Sequence, residues 1–210
     1  MSRHVAGVTL DNLEHLPKKC RSCVFWELAP HLRVDAEKYG QTDFEKEAWV
    51  SSVLLDWGCC GQIVYRDQTP AGYALYAPPG AVPGSAAFPT APVSADAVLL
   101  TSLRVPPAFA GQGLGRMLVQ AVAGDLTRRG VRAIEAFGDA APEPDSTCVI
   151  PADFLLAVGF EVVRPHARWP RLRMELGSGL SWQEGVEAAL ERLLNSVTIV
   201  VAEPAPAGAR

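Results

Sequence analysis

Leu103-Arg104-Val105-Pro106-Pro107-Ala108-Phe109-Ala110-Gly111-Gln112-Gly113-Leu114-Gly115-Arg116 is the stretch that decides the fold. It follows the apolar run from Ala97, a strand that Pro106-Pro107 must end because proline cannot donate to a ladder. After it, Leu114, Met117, Leu118, Ala121, Val122 and Leu126 recur at helical spacing, and Arg128-Arg129-Gly130 is a favourable helix ending. A helix opening leaves its first amides without intrahelical partners and carries about half a positive charge. Glycines at 111, 113 and 115 would let those amides approach an anion closely, so a diphosphate fits there. A tight turn that binds nothing would use the same glycines. The run is not a phosphate loop of the Gly-Lys-Ser/Thr type, and Leu118 breaks a Gly-x-Gly-x-x-Gly dinucleotide fingerprint.

Working outward, Ser22 to Leu28 reads as a first strand, and Thr42 with Glu45 as a capping box opening a helix that Gly58 closes. Phe44, Ala48, Trp49, Val53 and Trp57 would form its apolar stripe. Gln62 to Arg66 and Gly72 to Ala77 suit an antiparallel hairpin turning through Asp67-Gln68-Thr69-Pro70. Pro78 to Ala95, rich in Pro, Gly, Ala and Ser, is expected to be a tolerated insertion rather than a functional flap. Val131 to Phe137 predicts a strand, Ile150 to Val158 a short helix stopped by Gly159, and Phe160 to Val163 with Leu172 to Leu176 a last hairpin. Ser181 with Glu184 caps a final helix carrying Val186, Leu190, Leu193 and Leu194, and Thr198 to Ala202 suits an edge strand. The expected organisation is a domain over 1–176, a helix and extra strand over 177–203 packed on it, and a loose tail over 204–210.

A chain of 210 residues buries roughly 70% of its unfolded surface, enough for a core without staples. A net charge of −4 argues against a nucleic-acid or anionic-membrane binder, which needs a broad basic field. No apolar run approaches the roughly 18 residues of a membrane span, and the first residues lack a secretory h-region, so the cytoplasm is the expected compartment. Five cysteines, Cys20, Cys23, Cys59, Cys60 and Cys148, favour reduced thiols over a disulfide framework. Cys20-x-x-Cys23 is half a zinc site or a redox pair, but the adjacent Cys59-Cys60 is poor spacing for the other half, so no metal is expected.

The deciding stretch resembles the central motif of the GCN5-related N-acetyltransferase (GNAT) superfamily. That motif runs Leu-x-Val-x-Pro, then Arg/Gln-x-x-Gly-x-Gly/Ala, then a long amphipathic helix. Leu103-Arg104-Val105-Pro106 and Gly113-Leu114-Gly115 supply its parts, and Phe154 to Phe160 looks like the family's short helix ending in Gly-Phe. The resemblance implies an α+β, three-layer fold: a mixed, mostly antiparallel sheet splayed at a central strand, with helices on both faces. It implies acetyl-CoA as acyl donor, with direct transfer to the amine of a small molecule or peptide, and it leaves room for a homodimer. Leu103, Arg104 and Val105 would meet the pantetheine arm like an added strand. Ala110, Gly111, Gln112, Gly113, Leu114, Gly115 and Arg116 would hold the diphosphate.

The sequence departs from the family pattern where side chains do chemistry. The leading Arg/Gln is Ala110, the frequent proton-donating tyrosine falls on Leu155, an asparagine falls on Cys148, and no Glu stands in the strand ending at Val105. Transfer needs an oxyanion donor and a proton for the leaving thiolate. The resemblance puts the Val105 amide in the first role and makes Cys148 the candidate catalytic side chain, as a proton donor or, were its pKa lowered, an acyl acceptor. Cys148 also suits a plain packing role, and His166 is either a base or a surface histidine. Arg171 and Arg173 would attract an acidic acceptor or a CoA phosphate, or simply face solvent. The missing tyrosine and glutamate leave a second reading, a non-catalytic acyl-CoA-binding regulator. A zinc or redox module on Cys20 and Cys23 is a third.

Overall fold

Alternation of side chains along each strand sends one set of apolar residues to each face of the sheet, and this chain fills both. The computed structural model describes residues 2–142 and 148–177. Its helices are α1 (Lys18–Arg21), α2 (Pro30–Lys38), α3 (Thr42–Trp57), α4 (Leu114–Arg128) and α5 (Ala152–Ala157). Its strands are β1 (Arg3–Gly7), β2 (Gly61–Arg66), β3 (Thr69–Ala77), β4 (Ala97–Arg104), β5 (Ala133–Asp139), β6 (Ile150–Pro151), β7 (Glu161–Arg164) and β8 (Arg171–Glu175). They pair in the order β1-β2-β3-β4-β5-β8-β7, with β6 joined to β5. Only β4/β5 and β5/β6 are parallel among the described pairs; the rest are antiparallel.

Ile63, Tyr73, Leu75, Leu99 and Phe137 pack one face against Trp49, Val50 and Val53 of α3. Val64, Ala74, Tyr76, Val98, Leu100 and Ile134 pack the other against Leu114, Leu118, Val122 and Leu126 of α4 and Leu155 of α5. The result is the mixed, mostly antiparallel sheet with helices on both faces that the sequence predicts. The first compact unit is Met1–Leu176. The helix expected from Ser181, the strand expected over Thr198 to Ala202 and the tail from Pro204 lie outside the described residues.

Several local expectations are corrected. Ser22 to Leu28 is a chain of turns, not a strand. Val24, Trp26 and Glu27 are all buried, and Glu27 forms a buried ion pair with Lys46 of α3 while accepting a bond from the Trp26 amide (3.2 Å). Burying neighbours 26 and 27 together defeats the alternation a strand needs. The first strand is instead β1, short and mostly exposed, paired with β2. The capping box does not form, since Gln41 precedes α3 and makes no side-chain cap. Phe44 is exposed, leaving Lys46, Trp49, Val50 and Val53 as the inward stripe. The β2–β3 turn is tighter than expected, with Asp67 and Gln68 both at positive φ (46° and 68°). The predicted Ile150 start of α5 moves to Ala152, because Ile150 and Pro151 pair with β5.

Pro78 to Ala95 is also more than an insertion. It forms two short 3-10 turns and buries Val82, Phe88, Thr90 and Val93. The Phe88 ring stacks on Trp26 at 5.0 Å and Phe137 at 4.4 Å between centroids, and the Thr90 hydroxyl donates to the Trp169 carbonyl (2.8 Å). Phe88→Ala should therefore cost about 3 kcal/mol or more in urea unfolding. A loss under about 0.5 kcal/mol would restore the insertion reading.

Candidate active site

Parallel pairing of β4 with β5 covers only Ala97↔Ala133, Val98↔Ile134 and Leu99↔Glu135. Beyond that point the two strands part. β4 stays bonded to β3 through Ser102, Leu103 and Arg104, while β5 turns to β8 on one side and to β6 at Gly138 and Asp139. A chamber of about 560 Å³ opens between them. Leu103, Arg104 and Val105 form one wall, Cys148 to Pro151 the facing wall, and Ala110, Gly111 and Gly113 to Arg116 one end.

Local chemistry explains that end. Gly111 and Gly113 lie at φ 71° and 75°, in the left-handed region where a Cβ is strained. Gly113 caps α4, and the first helical bond runs from the Met117 amide to its carbonyl (3.0 Å). The amides of Leu114, Gly115 and Arg116 thus head the helix without intrahelical acceptors. At Gly115 a Cβ would stand 2.9 Å from the Phe154 ring, so the third glycine lets α5 approach α4. Arg116 donates to the Ala157 carbonyl at 3.0 Å, tying the same two helices together. Gln112 is the one predicted phosphate residue that does not line the chamber. Its carbonyl accepts from Arg3 (3.1 Å) and its side-chain oxygen from Arg66 (2.8 Å), so the turn is braced by two guanidinium groups. Sequence reading missed both arginines because each sits on another strand.

The chamber holds an unpredicted polar cluster. Cys20, Tyr73 and Ser102 line it with Cys148, the Cys20 thiol and the Ser102 hydroxyl both acting on the Tyr73 phenol. Burial and the neighbouring Cys20 push the Tyr73 phenol well above its usual range. Cys20 therefore serves this wall and is separated in role from Cys23. Cys23 lies instead 2.9 Å from Cys148, sulfur to sulfur, across 125 residues. The hydrogen bond from Cys148 lowers the Cys23 thiol from 9.0 to about 7, against an opposing effect of burial. The same bond, with burial and the nearby thiols, raises Cys148. The two titrate as a pair that releases one proton near neutrality and holds the second far more tightly. The acyl-acceptor role for Cys148 is disfavoured on this ground, since a nucleophile needs the lowered pKa.

The remaining candidates resolve differently. His166 accepts the amides of Arg168 (3.2 Å) and Trp169 (2.9 Å) at Nδ1, so it braces the β7–β8 turn. Arg171 and Arg173 pair with the fully buried Glu135 at 3.0 and 3.2 Å, and Arg173 also with Asp96 at 3.0 Å. They neutralise a carboxylate inside the sheet. Leu155 is fully buried and cannot donate a proton. Cys60 is buried and its thiol is pushed up to about 12, while Cys59 lies 3.1 Å from the Tyr76 hydroxyl. Among the described residues no three His, Cys, Asp or Glu side chains gather as metal ligands. Nor is any described helix long and apolar enough to cross a membrane.

A family model, the acetyltransferase (GNAT) family, matches residues 22–146. No curated protein matches the sequence significantly. Among solved structures, the PaiA N-acetyltransferase of Thermoplasma acidophilum in complex with coenzyme A aligns at a TM-score of 0.55. It shares 12% identity and covers 83% of this chain and 99% of its own. An N-acetyltransferase of Staphylococcus aureus Mu50 aligns at 0.55 with 14% identity, over 84% of this chain and 100% of its own. A GNAT-family acetyltransferase, described as putative, of Desulfovibrio desulfuricans aligns at 0.51 with 21% identity, over 84% and 100%.

The thiol pair can be read directly. Alkylation of Cys23 by iodoacetamide, followed by peptide mass, should rise through a midpoint near pH 7. In Cys148→Ala the midpoint should move up to the ordinary thiol value of 9.0 or beyond, since burial then acts with its chief opponent removed. An unchanged midpoint would contradict the pairing.

Proposed function

This chain belongs to the GNAT acetyltransferase family, and we propose on that premise that it carries an acetyl group from acetyl-CoA directly to an amine bound at the chamber. The observation that carries the proposal is the parting of β4 and β5 beside the glycine-rich head of α4. Leu103 and Val105 present backbone to the pantetheine arm, and the amides from Gly113 to Arg116 receive the diphosphate. Arg3 and Arg66 hold the turn in shape through Gln112. The acceptor is a small-molecule or peptide amine, entering from the side of the sheet that carries Cys20, Tyr73 and Ser102.

The chemistry follows from these placements. The neutral amine nitrogen attacks the thioester carbonyl, and the Val105 amide steadies the oxyanion. The nitrogen sheds its extra proton to solvent, and collapse breaks the carbon–sulfur bond and leaves the electron pair on sulfur. Cys148 supplies the proton for that sulfur while the pair with Cys23 is fully protonated, and the thiolate left behind accepts a bond from Cys23. Above about pH 7 the pair has already lost its first proton, and Cys148 holds the remaining one against Cys23. The donor form is thus present below that pH and lost above it, while the attacking amine becomes neutral as pH rises. The family's tyrosine is replaced in this scheme by a thiol from the opposite wall.

Two outcomes test the scheme. Gly113→Ala meets no atoms within 4 Å, so it penalises only the left-handed backbone at the head of α4. Calorimetry should show acetyl-CoA binding weakened about tenfold; unchanged binding would remove the turn from the diphosphate site. Turnover of an amine panel by Cys148→Ala should fall about 100-fold with KM for acetyl-CoA held, and lose the decline above pH 7. Wild-type rates in both Cys148→Ala and Cys148→Asn would remove the thiol from the mechanism.

A further inference from the structure

Cys23 belongs to the Cys20-x-x-Cys23 motif, yet its partner in space is not Cys20. Cys20 is buried and engaged with Tyr73, whereas the Cys23 sulfur faces that of Cys148 at 2.9 Å. Cys148 lines the chamber, and Cys23 is half-buried in the turns that follow α1. Two thiols this close, one of them at the wall of the site, are placed to become covalently joined. We propose that Cys23 and Cys148 form a reversible disulfide when the protein meets a peroxide, and that this bond switches off the acyl-transfer site.

The chemistry balances with hydrogen peroxide as the oxidant. The Cys23 thiolate attacks one peroxide oxygen, the O–O bond breaks, and hydroxide leaves and takes up a proton as water. The Cys23 sulfur is now a sulfenic acid. The Cys148 sulfur attacks it and gives up its proton, the S–O bond breaks, and a second water departs. Two thiols and one peroxide thus yield one disulfide and two waters. A small dithiol reverses this by two exchange steps. The thiolate share of Cys23 near neutrality, sustained by the hydrogen bonds from Cys148 and the Phe25 backbone, makes it the attacking partner.

The link would act on catalysis rather than on donor binding. It consumes the proton that Cys148 supplies and pins that wall to the segment after α1. The turn from Gly111 to Arg116 lies at a different end of the chamber and keeps its geometry. The effect on rate rests on the acyl-transfer reading above; formation of the bond does not.

The experiment treats the full-length reduced protein with hydrogen peroxide and reads linkage, binding and turnover in one sample. Arg21 separates Cys20 from Cys23 on tryptic digestion, so the linked peptide identifies its partner without ambiguity. The expected result is a Cys23–Cys148 peptide, a free-thiol count reduced from five to three, and turnover lowered at least about tenfold. The acetyl-CoA dissociation constant should stay within about twofold, and dithiothreitol should restore the rate. Cys23→Ser should keep the same ratio of treated to untreated turnover, near unity, whatever its own basal rate. Absence of the linked peptide, a link to Cys20 instead, or full turnover by the linked protein overturns the proposal. A reduced protein that turns over no amine, yet forms the link, contradicts the acyltransferase reading and leaves the disulfide standing.

Discussion

The parting of β4 from β5 after Leu99↔Glu135 is the constraint on which the rest depends. A parallel pair that stops partway leaves one strand edge facing a cavity, inside a sheet buried on both faces. The fold supports that opening from several sides. β3 holds β4 in register as far as Arg104, β8 and β6 take up β5, and Glu135 at the branching point is neutralised by Arg171 and Arg173. The charged pairs at the sheet interior are therefore part of the scaffold that keeps the gap open.

The same opening organises the chemistry. A helix terminus free of intrahelical acceptors stands at one end, and a thiol stands on the facing wall. The close packing of α4 on α5 needs the bare Gly115 against Phe154, so a glycine that looks like part of an anion loop also sets a helix contact. Cys148 enters the chamber from a strand connection, and its proton affinity is set by Cys23, which arrives from the far end of the chain. The glycine-rich helix head and the thiol pair are thus built on different elements. That separation lets one be altered while the other persists.

Much of this was legible before any coordinates. The strand, proline stop, glycine turn and amphipathic helix from Ala97 to Arg128 are local signals, and local signals survive into the fold. The hairpins at 61–77 and 161–175 likewise follow from alternation and turn residues. What escaped reading was non-local. β1 is only five residues long and mostly exposed, so nothing in it announces a strand until β2 is beside it. Ser22 to Leu28 has strand-like composition but is held by an ion pair to Lys46 and by ring stacking on Phe88. Pro78 to Ala95 looked dispensable because prolines hide the apolar residues that fill the core. Within the site, the chamber-lining residues from Leu103 to Arg116 follow from the motif. Arg3, Arg66, Tyr73 and the Cys23–Cys148 pair needed the sheet to bring them together.

The most direct test of the open gap is hydrogen exchange of the protein with and without coenzyme A. The account predicts new protection at the amides of Leu103 to Val105 and Gly113 to Arg116, with the β1–β2 and β7–β8 pairs unchanged. Exchange that is identical at those two segments in the presence of saturating coenzyme A would contradict it.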